Sequence, residues 1–244
     1  MRVSVVTACA VCLLLAPATS RAQARGRVSF NVGQQATSTD FSQSGSFQDF
    51  VENATFSAAH QIDKDTFYDG GFTVRVAGGF AMGLAVSSFT TTDAVVVQAS
   101  LPHPFIFNQP RGVTGSPDGF ERTETGVHLL FGWLLPTTDR FEVLLSAGPS
   151  FLQVEQDFVE RVNYTHAYPF DEAQFAGAPA ERLKERATGF NAGADVTFKF
   201  TPNVGVGALI RYSKATLEAV GSTGGSTSFD VGGLHAGGGL RFIF

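Results

Sequence analysis

Cysteine is almost absent from this chain, and the two cysteines present exclude a disulfide framework. Cys9 and Cys12 both fall within an apolar N-terminal run. Their C-x-x-C spacing is therefore accidental, and the mature chain has no thiol. Residues 6–9 resemble a lipoprotein attachment site only loosely, because Cys9 precedes most of the apolar run.

Clusters of basic residues are also absent. The whole chain has 17 Lys and Arg against 22 Asp and Glu. The first 24 residues contain Arg2 and Arg21 and no acid, so the remainder has 15 basic and 22 acidic residues, a net charge of −7. This acidic balance argues against a nucleic-acid partner.

A third absence concerns membrane-spanning helices. After Ala24 no apolar run reaches the ~18 residues that a transmembrane helix needs. If the chain spans a membrane it must do so as a closed barrel, because each unpaired backbone group in lipid costs several kcal/mol.

The N-terminal run has the features of a secretory signal peptide. Arg2 supplies the positive charge, residues 3–15 are apolar, and residues 22–24 form an Ala-Gln-Ala cleavage site. We therefore predict a signal peptide at residues 1–24 and a single domain at residues 25–244.

Phenylalanine and glycine are abundant, with 24 and 27 residues. Apolar residues alternate with small or polar ones, which is typical of β-strands with one apolar face. Eight segments show this alternation: residues 28–33, 72–77, 80–87, 126–135, 141–148, 190–200, 204–213 and 233–244.

Short and long connections alternate along the chain. This pattern is typical of outer-membrane barrels, with short periplasmic turns and long outer loops. A soluble lipocalin-like barrel would turn its apolar face inward and would lack the strict size alternation. We also expect a short helix at residues 178–186 and a bulge or membrane exit at Pro149. The short connections are residues 77–79, 136–139 and 201–203, and the long ones are centred on residues 38–67, 99–120, 164–186 and 219–227.

Charge indicates which face of the strands meets lipid. A charge near the midplane on the lipid face costs ~2–4 kcal/mol, so the face with small and charged residues is predicted to line the lumen. In the narrow interior of an eight-stranded barrel these charges would pair and plug the bore. The alternative is a charged pathway for a small solute. The predicted lumen charge network is Arg75, Arg122, Glu124, Glu142, Asp195, Lys199, Arg211 and Arg241.

Two long connections, residues 99–120 and 164–186, are rich in proline and aromatic residues. Proline stiffens a loop and lowers the ordering cost of binding, and exposed aromatic residues can form a contact patch. We predict that the two loops either pack on one another and cap the barrel, or contact an extracellular partner.

Catalytic and metal-binding patterns are not recognisable in the chain. Nucleophilic catalysis needs a serine beside a histidine with an orienting acid, and no His-x-Ser pair lies on a strand. The five histidines also lack metal-ligand spacing. We expect no enzyme activity, no cofactor and no metal, and we expect His128 and His235 to be hydrogen-bonded in the lumen.

The last strand places Leu240, Phe242 and the C-terminal Phe244 on one face. It resembles the C-terminal signature of outer-membrane barrels, in which the terminal Phe is read by the barrel-assembly machinery. With the signal peptide and the eight segments, the whole mature chain is similar to the small outer-membrane β-barrel domain family of the OmpA/OmpX type.

This resemblance implies an all-β, eight-stranded, antiparallel up-and-down transmembrane β-barrel with long extracellular loops. It also implies a place in the outer membrane of a diderm bacterium. The chain would there contact outer-membrane lipid and lipopolysaccharide, the barrel-assembly machinery and periplasmic chaperones, with Phe242 and Phe244 as the assembly signal.

Members of the family include structural anchors, adhesion and immune-evasion proteins, and narrow channels. No peptidoglycan-binding segment follows the barrel in this chain, so we do not expect it to tether the cell wall. We expect a non-enzymatic outer-membrane protein with a structural or surface-interaction role through its outer loops. The alternatives are a narrow channel for small solutes and a lipid-modifying barrel enzyme, for which we find no lipid-facing catalytic set.

Overall fold

The computed structural model describes residues 26–220 and 226–244. The predicted signal peptide at residues 1–24 lies outside the described residues, as does most of the connection at residues 219–227. The described part of the chain contains no helix long and apolar enough to cross a membrane.

Thirteen strands account for most of the described residues. They are β1 (Gly26–Gln35), β2 (Thr39–Asp49), β3 (Glu52–Ile62), β4 (Thr66–Ala77), β5 (Phe80–Leu101), β6 (Arg111–Gly115), β7 (Phe120–Pro136), β8 (Phe141–Val159), β9 (Asn163–His166), β10 (Ala173–Gly177), β11 (Ala180–Lys199), β12 (Val204–Val220) and β13 (Ser226–Ile243).

Eight of these strands form a closed antiparallel ring. In the order β1, β4, β5, β7, β8, β11, β12 and β13, each strand pairs with the next, and β13 pairs back with β1. The seam between first and last strands is tight, because a Cβ atom at Gly239 would overlap the carbonyl oxygen of Phe30. The prediction of an eight-stranded antiparallel barrel is confirmed.

Short connections join strands at one end of the barrel, which we call the turn end. They are residues 78–79, 137–140 and 200–203. Gly78 has a φ of 55°, a conformation that glycine adopts without a Cβ penalty. The first residue of β1 and the last of β13 also lie at this end. We call the opposite end the loop end.

The outer surface carries an apolar band. Along β11 and the residue that follows it, every second residue from Phe190 to Phe200 is apolar and faces outward, and this length matches the ~9–11 residues of a membrane-spanning strand. Beyond the band, towards the loop end, outward side chains form cross-strand ion pairs such as Lys184–Glu155 at 2.6 Å. Exposed aromatic residues mark both borders of the band: Trp133, Phe141, Phe200 and Phe244 near the turn end, and Tyr68, Phe151, Phe190 and Tyr212 towards the loop end.

The predicted long loop at residues 38–67 is wrong for most of its length, because it forms the hairpin β2–β3. Residues 55–62 of β3 pair with residues 93–100 of β5, just beyond the part of β5 that pairs with β4. The hairpin therefore continues the barrel wall where β1 and β4 end. Its outward residues are mainly serine, threonine, asparagine and glutamine, and this polar face made the segment look like a loop in sequence.

The predicted helix at residues 178–186 is also wrong, because β11 begins at Ala180. Lysine, arginine and glutamate favour helices in isolation. Here they face β8, and Arg182 and Lys184 form cross-strand pairs with Asp157 and Glu155. Tertiary pairing therefore overrides helix propensity.

The expected bulge at Pro149 does not occur, although the pairing of β8 with β7 is interrupted there, and the alternative of a membrane exit stays a prediction. The register of β8 with β11 is continuous from Phe141–Phe198 to Val159–Ala180, so Pro149 causes no bulge. Leu152 and Val154 break the outward apolar alternation because they face an apolar interior.

The barrel interior has two regions along its axis. The region towards the turn end is lined by buried polar and charged side chains, including Arg27, Asp195 and Arg241. The region towards the loop end holds two apolar clusters, one around Phe41, Phe158 and Phe229 and the other around Phe56, Val97 and Phe120. The interior is therefore polar towards the turn end and mainly apolar towards the loop end, where the apolar clusters also enclose a few buried polar side chains such as His60 and Asp93.

Candidate functional site

Asp195 is the centre of the ion-pair network nearest the turn end. Its carboxylate accepts two hydrogen bonds from Arg241, at 2.8 and 3.2 Å, and one from the Thr197 hydroxyl at 3.0 Å. Arg27 reaches the same carboxylate at 3.5 Å and donates to Thr197 at 3.1 Å. One carboxylate is thus shared by two guanidinium groups.

Lys199, Glu142 and Arg75 lie on the same end of the interior. Lys199 Nζ is 2.8 Å from Glu142 Oε1. Arg75 lies at the rim, where its Nε donates to the carbonyl oxygen of Gly78. Within the described residues Arg75 takes part in no ion pair, so it is a member of the predicted network by position only.

Arg211 is paired in the middle of the interior with a residue that the sequence did not single out. Its guanidinium contacts Asp69, which is almost fully buried and accepts a hydrogen bond from Asn31 at 2.8 Å. Asp69 and Arg27 were both missed, because each lies just beyond the ends of the predicted strands. Continuing the period of two by a few residues would have found both.

Among the predicted lumen charges, Arg122 and Glu124 form the ion pair farthest from the turn end. Arg122 Nε donates to Glu124 Oε1 at 2.7 Å, and Glu124 Oε2 also accepts the backbone N–H of Gly232 at 3.0 Å. The Arg122 guanidinium lies 5.2 Å from the centroid of the Phe229 ring. This pair therefore lies where the polar interior meets the apolar core.

The two lumen histidines are hydrogen-bonded. His128 is fully buried, with Ser87 Oγ 2.9 Å from Nε2 and Ser150 Oγ 2.8 Å from Nδ1. His235 Nε2 lies 3.1 Å from Gln35 Oε1. In the part of the chain that the structure describes, no carboxylate contacts His128, so its two serine neighbours lack the orienting acid of a catalytic triad.

Three phenylalanine rings pack together inside the barrel, on the loop-end side of the polar region. Phe41 of β2 packs on Phe229 of β13 with ring centroids 4.7 Å apart, and both rings contact Phe158 of β8, at 5.8 and 6.1 Å. β8 lies three strands away from β13 in the ring, so the Phe158 ring meets the other two across the interior. We call these three residues the phenylalanine plug.

At the loop end, five rings from three segments form one cluster. His166 stacks near Phe50 at 6.5 Å and meets Phe170 at 4.9 Å, and Phe170 contacts both Phe105 at 5.4 Å and Tyr168 at 6.0 Å. Phe105 is 78% exposed and Tyr168 87%. We call this cluster the aromatic platform.

Arg111 holds the segments of the platform together. It is buried, and its NH1 donates to His166 Nδ1 at 3.0 Å and to the Phe170 carbonyl at 3.1 Å. Its NH2 donates to the Pro102 carbonyl at 2.7 Å, and its guanidinium lies 5.4 Å from the Tyr164 ring centroid. One side chain therefore fixes the loop before β6 against the loop between β9 and β10.

Two further side chains position the platform. The Tyr164 hydroxyl donates to Asp49 Oδ2 at 2.6 Å, which ties β9 to the tip of the β2–β3 hairpin. Burial and this hydrogen bond to a carboxylate raise the pKa of Tyr164 to about 12. His103 Nδ1 accepts the backbone N–H groups of Phe105 and Ile106, at 3.1 and 3.0 Å. The predicted loops thus both pack together and expose aromatic rings.

Phe242 and Phe244, the predicted assembly signal, face outward at the seam. Phe242 meets Phe30 edge to face at 6.4 Å, and Phe244 stacks near Phe72 at 6.3 Å. Phe244 also exchanges backbone hydrogen bonds with Gly26, at 2.8 and 3.0 Å. Both residues are therefore part of the wall where the barrel closes.

No protein-family model matches the chain, and no curated protein matches its sequence. Solved structures similar to it include OprG from Pseudomonas aeruginosa, with 13% identity, 91% of this chain and 97% of that chain covered, and a TM-score of 0.49. Ail of Yersinia pestis has 13% identity, 89% and 99% coverage and a TM-score of 0.36. The outer membrane protease OmpT from Escherichia coli has 9% identity, 90% and 97% coverage and a TM-score of 0.41.

Similarities at this level transfer no activity, and the fold is established by the strands of this chain. The closed ring, the short turns at one end and the outward apolar band agree with one another. The chain has the architecture of a small outer-membrane β-barrel.

Proposed function

We propose that this chain is a non-enzymatic integral outer-membrane protein that binds an external protein surface through its aromatic platform. In this proposal the barrel has a filled interior and anchors the platform in the membrane. The N-terminal signal directs its export, and the turn end faces the periplasm. The observation that carries the proposal is the platform itself, in which exposed rings from three segments are held by the buried Arg111.

Rigidity supports a binding role for the platform. Loops that are already ordered lose less conformational entropy on binding, and Arg111, Tyr164 and His103 order this region through side-chain hydrogen bonds. Aromatic residues are common anchors of protein interfaces. Large exposed apolar rings in one cluster are typical of a contact surface.

Charge favours one kind of partner. Asp171 and Glu172 are exposed and directly follow Phe170 in sequence. Glu52 lies two residues after Phe50. Lipid surfaces rich in phosphate would be repelled by these carboxylates, whereas a protein surface with apolar residues and lysine or arginine would be attracted. The partner class is therefore an apolar protein surface with a basic rim.

A peptide of defined chemistry tests this proposal. Protein in nanodiscs is titrated with a labelled amphipathic helix of leucine and lysine, and with a leucine and glutamate helix as the charge control. We expect saturable binding of the basic helix only. The double variant Phe105→Ser and Tyr168→Ser should bind about thirtyfold more weakly or worse, because loss of hot-spot aromatic residues costs ~2 kcal/mol or more.

Val220→Ser is the matched control, because Val220 is exposed near the loop end on β12, outside the platform. Equal binding by wild type and the double variant would contradict the proposal. Equal binding of the acidic and basic helices would contradict the assignment of the partner class.

A narrow channel is the second candidate, and the phenylalanine plug argues against it. A lipid-modifying enzyme would need a catalytic set that reaches the lipid face. Ser87, His128 and Ser150 are buried inside the barrel instead, which favours a structural role for this group.

A further inference from the structure

A small cavity lies inside the barrel at the turn end, between residues of β1, β4, β5, β7, β8 and β13. It has a volume of about 30 Å³, which is room for about two water molecules. Its polar lining comes from Arg27 of β1, Thr73 and Arg75 of β4, and Glu142 of β8. The cavity is partly open, so a bound group could enter with one part and leave the other part in solvent.

The charges around this cavity do not balance. Glu142 is occupied by Lys199 at 2.8 Å, and Asp195 is shared by Arg241 and Arg27. Among the described residues around this cavity, two carboxylates therefore face four basic side chains. The carboxylates are Glu142 and Asp195, and the basic side chains are Arg27, Arg75, Lys199 and Arg241. The exposed turn at residues 137–140 adds Asp139 and Arg140, which cancel. Among these side chains an excess of two positive charges remains.

The excess is borne by Arg27 and Arg75. Arg27 is only 7% exposed, and both its hydrogen bond to Thr197 and its ion pair with Asp195 use NH1. Arg75 contacts the Gly78 carbonyl through Nε. Each guanidinium thus keeps N–H donors for a further acceptor.

We propose that this cavity is an oxyanion site, in which Arg27 and Arg75 bind a phosphate-type group with help from the Thr73 hydroxyl. Guanidinium groups bind phosphate oxygens with paired hydrogen bonds. The group comes either from inorganic phosphate in the periplasm or from a phospholipid headgroup of the periplasmic leaflet. The site is separate from the aromatic platform and does not depend on the function proposed for it.

Equilibrium dialysis with radiolabelled inorganic phosphate tests the site. Refolded protein in dodecyl maltoside, a detergent without phosphate, should bind phosphate saturably at one site. Arg75→Gln should weaken binding about tenfold, because one charge-assisted pair is lost. Arg140→Gln, an exposed arginine at the same end, should bind as wild type does. Arg75 takes part in no ion pair with the residues that the structure describes, so its variant is expected to fold, and circular dichroism checks this.

Absence of saturable binding in wild type would overturn the proposal, as would equal binding by Arg75→Gln. A second arm identifies the source. Competition by short-chain phosphatidylglycerol, but not by the matching diacylglycerol, supports the headgroup source. No competition by either lipid supports inorganic phosphate. Equal competition by both lipids would show displacement by acyl chains and overturn the proposal.

Discussion

The guanidinium of Arg122 lies over the ring of Phe229, 5.2 Å from its centroid, and this contact joins the two regions of the barrel interior. On one side Arg122 is paired with Glu124, whose Oε1 lies 2.6 Å from the NH2 atom of Arg122. On the other side Phe229 packs in the phenylalanine plug. A desolvated cation over an aromatic ring contributes ~2 kcal/mol or more, so the contact stabilises the boundary between polar network and apolar core.

Phe229→Ala should destabilise the barrel strongly. The ring is buried among Phe41 and Phe158, and truncating a buried phenylalanine costs ~3–5 kcal/mol because a cavity remains. The free energy of unfolding is measured in detergent with a chemical denaturant, followed by the fluorescence of Trp133. Val220→Ala, at an exposed position, should change it by no more than ~0.5 kcal/mol. A similar value for both variants would contradict the buried packing of the plug.

Refolded protein in planar bilayers should show no steady ohmic conductance. The phenylalanine plug and the paired charges below it fill the bore, and ions do not cross a packed core. Insertion is verified separately by protease protection. Steady current steps that lumen substitutions such as Arg241→Gln abolish would instead favour the narrow channel.

Tyr164→Phe should loosen the platform without removing its ring. The variant loses the hydrogen bond to Asp49, and a bond to a charged group contributes ~1.5–3 kcal/mol. Hydrogen exchange of residues 39–62 and 163–177 should therefore accelerate. Tyr168→Phe is the matched control, because the Tyr168 side chain is almost fully exposed. The same exchange rates in both variants would show that the Tyr164 hydroxyl does not order the hairpin tip.

The phenol of Tyr164 should titrate late at alkaline pH. Its pKa in the folded protein is about 12, above the ~10 of an unfolded chain. The neutral phenol is thus favoured by folding, and its contribution to stability is complete below pH ~10 and lost as the pH rises through about 12. Absorbance of tyrosinate should show a phase near pH 12 that Tyr164→Phe removes. An unchanged titration curve in this variant would contradict the assignment.

Much of the barrel could be predicted from local pattern. Alternation with a period of two marked all eight wall strands, and short connections such as residues 201–203 marked the turn end. The cost of a charge in lipid assigned the lumen face correctly for Arg211, Asp195 and Arg241, which are all buried. These conclusions need only the neighbours along one strand.

The hairpin β2–β3 and the strand start at Ala180 could not be predicted in the same way. In both segments local composition favours another structure, a loop or a helix. Pairing with β5 and β8 decides the outcome. The same is true of the platform, whose hub Arg111 joins segments more than fifty residues apart in sequence.

The sequence by itself determined the strand period, the number of wall strands, the turn end and the outward apolar band, because the alternation of side chains along a strand is a local property. Only the tertiary structure decided which charges pair, such as Arg211 with Asp69, and that the interior becomes mainly apolar towards the loop end. Which charged side chains pair depends on strand register and barrel closure, because these bring together side chains that no spacing in the sequence relates.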